Sequence, residues 1–166
     1  MSIRAVADAV GVTPPSIYLH FADKSALLLA VCEEQFRAFG QYVESCCAHI
    51  DDPIEQLKAR GRAYIQFGIE HPEAYRLMFM TPTSQMPRPD DAMSNASGFC
   101  HLRDNVVRAQ ETGAITEPDT ELVATGLWAM VHGMTSLAIC VPGFPEVGLD
   151  RMVEHVGATY CKGLMP

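Results

Sequence analysis

The sequence predicts an all-α protein in which a helix-turn-helix head is joined to a helical bundle. Apolar residues recur with a period of about 3.6 residues in almost every segment, and no stretch alternates strictly between apolar and polar residues. Two short helical segments near the N-terminus are separated by a glycine turn, whereas most of the later segments are longer. Hydrophobic residues make up 48% of the 166 residues, so the chain can bury a sizeable core.

The first two helices are short and their ends are marked by capping residues. Residues 2–10 are predicted to form a helix with Ser2 as its N-cap. Gly11 ends this helix, because glycine adopts the left-handed conformation that a helix end requires. Thr13 is predicted to cap the second helix, and Pro14 stands at its first position, where a missing N–H costs nothing.

The middle of the chain is predicted to hold two long helices and a short one. Asp23 caps a helix that extends to about Cys47, and a second long helix begins near Pro53 and runs to Glu70. Pro72 restarts a short helix. The pattern therefore predicts a connecting helix followed by the start of a bundle.

The C-terminal part is predicted to contain a loop and three more helices. Three prolines in residues 81–93 indicate a mobile loop, and a helix follows over about 94–112, closed by Gly113. Asp119 begins an apolar helix that extends to about 140. The last helix carries one apolar stripe.

The last two helices have more apolar surface than one core can use, which predicts a homodimer. Two copies would form a four-helix bundle across a twofold axis. The residues assigned to this dimer surface are Leu127, Met134, Leu149, Met152, Val153, Val156 and Tyr160.

Composition and charge restrict the classes of protein that fit. The net charge of −8 argues against nucleic acid as a partner of the whole chain, but a small head needs only local tolerance of phosphate. The six cysteines contain no C-x-x-C pair and no secretory signal is visible, which indicates reduced thiols in a cytoplasmic protein. No unbroken apolar run reaches about 20 residues, so we expect no membrane-spanning segment.

The second short helix has the chemistry that a DNA-reading helix needs. Such a helix presents small polar groups to the major groove and makes phosphate contacts at its ends. Ile17 and Phe21 are four residues apart and should point inward. Hydroxyl, imidazole and ammonium groups on the other face come from Thr13, Ser16, Tyr18, His20 and Lys24.

The N-terminal residues closely resemble the DNA-binding signature of the TetR (tetracycline-repressor) family. The match comprises SIRAVA at 2–7, GVT at 11–13, IYLHF at 17–21 and DKxALL at 23–28, in order and without gaps. The resemblance implies that the base-facing residues are Thr13, Pro14, Pro15 and Ser16. It implies that the phosphate-binding residues are Ser2, Tyr18, His20 and Lys24.

Two departures from the family pattern affect this interpretation. Many members carry lysine and glycine where this chain has Pro14 and Pro15, so contacts there would be apolar, for example with thymine methyl groups. The family also places a helix upstream of the segment that matches Ser2, and we expect that first helix to be absent from this chain. We therefore expect a partial DNA-binding domain at 1–24, a connecting helix at 25–47 and a ligand-sensing and dimerisation domain at 48–166.

The sensor half is similar to that of a TetR subgroup with two signatures, HPEAYRLMF at 71–79 and Trp128-x-x-x-His132-Gly133. Trp128 and His132 are four residues apart and should touch, either as a core pair or as part of a cavity wall. Gly133 would then allow close approach of a neighbouring helix. The candidate wall residues, each of which could also be plain core, are Tyr64, Phe67, Tyr75, Met78, Phe79, Phe99, Leu102, Trp128 and His132.

Few of the candidate wall residues are charged, so we expect a small hydrophobic or aromatic ligand. One polar group of that ligand could be met by Tyr64, Tyr75, His101 or His132. The resemblance implies a ligand-responsive repressor that this ligand releases from a palindromic double-stranded DNA operator. The dimer would set the two reading helices about 34–36 Å apart or slightly more.

Two other classes of function fit these residues less well. An enzyme would need more than Cys46-Cys47-x-His49 and Cys100-His101, because neither has metal-binding spacing or a third partner. We therefore expect no catalysis, no metal and no cofactor. The second alternative is a helical interaction module that has lost DNA binding.

Overall fold

Eight helices account for most of the chain in the computed structural model, which describes residues 2–81, 97–144 and 148–164. The described ranges contain no strand, so the all-α prediction is confirmed. Of the predicted loop at 81–93 only Thr81 is described, and residues 94–96, assigned by sequence to a helix, also lie outside the described residues. The helices are α1 (Ile3–Val10), α2 (Pro14–Tyr18), α3 (Lys24–Cys47), α4 (Pro53–Glu70), α5 (Pro72–Tyr75), which continues as a π-helical turn (Arg76–Met80), α6 (Ser97–Glu111), α7 (Thr120–Cys140) and α8 (Leu149–Leu164).

Helix starts coincide with side chains that accept hydrogen bonds from otherwise unpaired backbone N–H groups. Ser2 accepts from Ala5 N at 3.2 Å, and Asp23 accepts from Ala26 N at 2.8 Å. Asp52 caps α4 and Asp119 caps α7 in the same way. The predicted starts of these helices are therefore confirmed by their caps.

The turn between α1 and α2 is tight and departs from the prediction in one detail. Gly11 has φ +72°, the left-handed conformation expected of it. Thr13 stands at the N-cap position of α2, but its side chain makes no capping bond. Its hydroxyl lies 2.9 Å from Ser16 Oγ instead, so the two hydroxyls pair on the surface.

Three apolar clusters organise the fold. The head cluster is formed by Ile3, Ala7 and Ile17 from α1 and α2. The central cluster joins α3, α4, the α5 region and α7, and the second cluster joins α4, α6 and α7. The head therefore has a core separate from the core of the bundle, as the two-part prediction requires.

Helix α7 is long and apolar enough to cross a membrane by length and composition alone. The core helix of a folded domain passes the same test. Helix α7 contributes Val131 and Met134 to the central cluster and Val123, Ala124 and Leu127 to the second cluster. Its place between the two clusters explains two apolar sides of α7, whereas Leu122 and Leu137 of the same helix are exposed.

A glycine does allow two helices to approach closely, but it is not the predicted one. A Cβ atom at Gly133 would meet no atom of the described residues within 4 Å. A Cβ atom at Gly68 on α4 would lie 2.3 Å from Thr135 Cγ2 and 3.0 Å from Tyr75 Cδ2. The close approach of α4 and α7 therefore occurs at Gly68, because α4 turns its own glycine toward α7.

Candidate functional site

The structure has two separate candidate sites, and the first is the outer face of the head. Ile17 is buried against α1, and Phe21 packs against the same head cluster from the far end of α2. Tyr18, one position after Ile17, is 56% exposed. The inward and outward faces of α2 are thus those that the sequence predicted.

All eight predicted DNA-contacting residues lie at the surface of the head. Pro14 and Ser16 are half-buried, and the exposed ones are Ser2, Thr13, Pro15, Tyr18, His20 and Lys24. Lys24 is the first residue of α3, so its ammonium group and the N-terminal N–H groups of that helix share one end. This surface offers hydroxyls and one cation to a phosphate backbone.

The second candidate site is a cavity of about 540 Å³ inside the bundle. This volume is in the range of pockets that enclose small organic molecules. Aromatic rings from five elements of the fold form much of its wall, and some neighbouring rings pack edge to face, as Phe99 and Trp128 do with centroids 5.9 Å apart. The aromatic wall residues are Phe36 and Phe39 of α3, Tyr64 of α4, Phe79 of the π-helical turn, Phe99 of α6 and Trp128 of α7.

A chain of hydrogen bonds leads from the cavity wall into the core. The indole N–H of Trp128 donates to Tyr64 Oη at 3.3 Å, and Tyr64 Oη lies 3.2 Å from Tyr75 Oη. Tyr75 Oη lies 2.6 Å from His132 Nδ1, and His132 Nε2 lies 3.5 Å from Ser136 Oγ. One consistent arrangement has each hydroxyl donating to the next group, with His132 accepting at Nδ1 and carrying its proton on Nε2.

Burial keeps this chain uncharged. Burial raises the pKa of Tyr64 and of Tyr75, and it lowers the pKa of His132 below its ordinary value of 6.5. All three side chains are therefore neutral near pH 7. The polar part of the wall that they support can exchange hydrogen bonds with a ligand but cannot neutralise a charge.

Six charged side chains from α4, α6, α7 and α8 also line the cavity, whereas the sequence led us to expect few charges there. Arg60 lines the cavity, is buried, and forms an ion pair with Glu44 of α3. His101 Nδ1 of α6 lies 2.9 Å from the same Glu44 oxygen. Burial would raise the pKa of Glu44, but the hydrogen bond and charge of Arg60, aided by His101, hold that pKa below its ordinary value.

A pattern in the sequence could have revealed Arg60. Leu57, Arg60, Gly61 and Tyr64 are spaced by three or four residues and therefore share one face of α4. All four line the cavity. The cation Arg60 therefore lies one turn before Tyr64, which the sequence already predicted for the cavity wall, and on the same face of α4.

The structure divides the predicted ligand-contacting residues into two groups. Those on the cavity wall are Tyr64, Phe79, Phe99, Leu102 and Trp128. Those that lie behind the wall rather than on it are Phe67, Tyr75, Met78 and His132. The rings of Trp128 and His132 pack with centroids 5.8 Å apart, as a core pair would, but Trp128 also lines the cavity and His132 does not. Each of the two interpretations of this pair, core pair and cavity wall, therefore holds in part.

The residues assigned to the dimer surface are also divided. Leu127 and Met134 are buried inside the chain and line the cavity, so they do not lie on an outer face of α7. Val153 is half-buried and also lines the cavity. Met152, Val156 and Tyr160 are half-buried on α8, and the side chain of Leu149 lies outside the described residues.

The described residues include no group of three or more His, Cys, Asp or Glu side chains placed to hold a metal ion. The cysteines Cys46, Cys47 and Cys140 are free thiols.

Two family models match the chain, one at each end. The model for the tetracyclin repressor-like C-terminal domain matches residues 57–156. The model for bacterial regulatory proteins of the tetR family matches residues 1–31. No curated protein sequence matches significantly.

Solved structures share the fold at low sequence identity. A protein with unknown function from Rhodococcus sp. RHA1 is 24% identical with a TM-score of 0.84, and the match covers 100% of this chain and 86% of that chain. A TetR family transcription regulator from Marinobacter aquaeolei VT8 is 22% identical with a TM-score of 0.78, covering 99% and 84%. AibR in complex with isovaleryl coenzyme A and operator DNA is 18% identical with a TM-score of 0.75, covering 96% and 86%.

Proposed function

Because the chain belongs to the TetR family of bacterial regulatory proteins, we propose that it is a ligand-responsive repressor of transcription. A small molecule with a hydrophobic or aromatic body would release it from a palindromic operator. The observation that carries the proposal is that one helix, α3, begins in the polar head and lines the aromatic cavity farther along. The protein would act in the cytoplasm, where its operator is.

Helix α3 supplies the physical connection between the two sites. Lys24 is its first residue, and Phe36 and Phe39 line the cavity. Twelve residues of helix separate Lys24 from Phe36, or roughly 18 Å at 1.5 Å per residue. A ligand that displaces the two phenylalanine rings would therefore move a rigid element that ends beside α2.

We assign the DNA contacts to the surface of α2 and its flanks. Thr13, Pro14, Pro15 and Ser16 would face bases, with the prolines offering apolar contact only. The residues that would bind phosphates are Ser2, Tyr18, His20 and Lys24. Net charge in this head is low, so we expect modest affinity with a shallow salt dependence.

We propose a homodimer formed by α7 and α8. Leu122 and Leu137 of α7 are 62% and 45% exposed, and such side chains are typical of a surface that a second copy covers. Met152, Val156 and Tyr160 of α8 are half-buried in one chain and remain candidates for the same surface. Twofold symmetry would then present two α2 helices to two half-sites.

Regulation would follow from unequal ligand affinity for two spacings of the heads. A ligand shifts such an equilibrium only by the difference between its affinities for the two states. The AibR structure, with isovaleryl coenzyme A and operator DNA in one complex, supports the proposal that a protein of this fold carries both a ligand site and a DNA site.

The DNA-binding part is tested by selecting operators from a pool of random duplexes with the full chain. We expect a palindromic sequence to be enriched. Lys24→Gln should weaken binding to all sequences alike and reduce the salt slope by about one. Arg37→Gln removes an exposed cation of the same helix outside the head and is the matched control.

Failure to enrich any sequence would overturn DNA recognition by this chain. If the protein still formed dimers, that result would favour the helical interaction module. Equal loss of binding in Lys24→Gln and Arg37→Gln would show that the head is not the contact surface.

A further inference from the structure

One charged side chain of the cavity wall is buried and has an unused hydrogen-bond donor. Arg60 is the buried cation within the described part of the chain, and it lines the cavity between Leu57 and Tyr64 on one face of α4. Its Nη1 group bonds to Glu44. Its Nε group is buried and has no hydrogen-bond partner among the residues that the structure describes.

A buried guanidinium donor without a partner is costly. Folded proteins pair the great majority of such groups, so an exception calls for a partner that binds there. A guanidinium has five N–H donors in a planar fork and binds a carboxylate through two parallel hydrogen bonds. The bond to Glu44 uses Nη1, so the Nε and Nη2 edge is the one on which a second carboxylate could lie.

Glu44 does not fully occupy Arg60 because its carboxylate is shared. The same Glu44 oxygen lies 2.9 Å from His101 Nδ1, and the Glu44 side chain is 28% exposed. A ligand anion would therefore meet a buried cation whose counter-ion is divided between two partners. Two other cations on the wall, Lys58 and Arg103, form ion pairs with Glu55 and Glu121 and are far more exposed than Arg60.

We propose that the ligand of this cavity is an amphiphilic anion whose carboxylate, or a similar planar acid group, binds Arg60. Its apolar body would lie against the aromatic wall that includes Phe99 and Trp128. This inference rests on the proposed ligand-binding function and specifies the class of ligand. Arg60 is then the residue that selects acids over neutral molecules of the same shape.

The test compares matched acid and alcohol probes by calorimetry with the full chain. The pairs are octanoate with octanol and phenylpropionate with phenylpropanol. The emission of Trp128, the one tryptophan of the sequence, gives an independent readout from the wall. We expect each acid to bind about ten- to a hundred-fold more tightly than its alcohol, as a charge-assisted bond provides.

Two variants separate recognition from folding. Glu44→Gln removes the carboxylate that neutralises Arg60 at Nη1 and leaves the Nε and Nη2 edge as it is, so it should tighten acid binding about ten-fold and leave alcohol binding unchanged. Arg60→Met combined with Glu44→Gln removes both charges together, so no buried charge is left unpaired, and it should bind acid and alcohol alike. Circular dichroism establishes whether each variant is folded. If the double variant is unfolded, acid binding by Glu44→Gln decides whether Arg60 binds the acid group.

Several results would overturn the inference. They are alcohol binding as tight as acid binding, weaker acid binding in Glu44→Gln, or no binding of either acid. In that case Arg60 and Glu44 form an ion pair that only joins α3 to α4. The operator selection is independent of these probes, so its outcome distinguishes a wrong ligand class from a wrong function.

Discussion

Alanine at Gly68 should destabilise the protein, whereas alanine at Gly133 should not. Both glycines lie inside helices, so both substitutions gain roughly 0.5–1 kcal/mol from backbone entropy. The difference is the space available to the new methyl group. At Gly133 no atom in the described part of the chain lies within 4 Å of it, and at Gly68 it would lie 2.3 Å from Thr135 Cγ2.

The Gly68 contact cannot be relieved cheaply. Thr135 is fully buried, and its hydroxyl donates to Val131 O at 2.8 Å. Rotating the Thr135 side chain away would break that bond, so α4 and α7 must separate instead. Overpacking costs about 1–3 kcal/mol, and a contact as short as 2.3 Å places Gly68→Ala in the upper half of that range, so after the helix gain we expect a net loss of about 1–2 kcal/mol.

The assay is urea and thermal unfolding of each variant at one protein concentration, since a dimer makes stability depend on concentration. A loss of about 1–2 kcal/mol lowers the melting temperature of a chain this long by roughly 2–8 °C. Gly133→Ala should be neutral or stabilising by up to about 1 kcal/mol.

A third substitution tests the cause of the loss. Thr135→Ser removes the methyl group that Gly68→Ala would strike and keeps the hydroxyl bond. The double variant should therefore be more stable than the sum of the two single changes predicts. Equal stability of Gly68→Ala and Gly133→Ala, or additive effects of Gly68→Ala and Thr135→Ser, would refute this reasoning.

Three further predictions concern pH, capping and the buried hydrogen bonds. Burial lowers the pKa of His132 in the folded protein, so below about pH 6.5 the unfolded chain binds more protons than the folded chain does. The free energy of unfolding should therefore decrease as pH falls through that value. His132→Gln should reduce the corresponding decrease in melting temperature. Asp52→Ala should lower the free energy of unfolding in urea by about 1 kcal/mol, because Asp52 caps two N–H groups. Thr13→Ala should lower it by less than about 0.5 kcal/mol, because the Thr13 side chain makes no capping bond. Tyr75→Phe should lower the free energy of unfolding by about 0.5–1.5 kcal/mol, the net value of one hydrogen bond, because Tyr64 Oη lies 3.1 Å from His132 Nδ1 and can still donate to it; the exposed Tyr18→Phe should be nearly neutral.

Each of these predictions has an outcome that contradicts it. An unchanged pH profile in His132→Gln would show that another group causes the acid loss. Equal losses for Asp52→Ala and Thr13→Ala would mean that the cap bonds contribute nothing measurable. A neutral Tyr75→Phe would mean that water or Tyr64 satisfies His132 equally well.

Much of the fold was accessible from sequence because its signals are local. Asp23 and Gly11 mark helix ends through bonds and dihedral angles within a few residues of themselves. The inward Ile17 and outward Tyr18 follow from the period of one helix. The same local signals identified Trp128 and Tyr64 as wall candidates, but they could not distinguish wall from core.

Local sequence thus determined which segments are helical, where they begin, and which face of the head is polar. The rotation and offset of one helix against another were decided by packing between residues far apart in the chain. That packing placed Gly68 rather than Gly133 at the close crossing and turned Leu127 and Met134 inward. It also brought Glu44 to Arg60, because side chains on separate helices meet only when the whole bundle has closed.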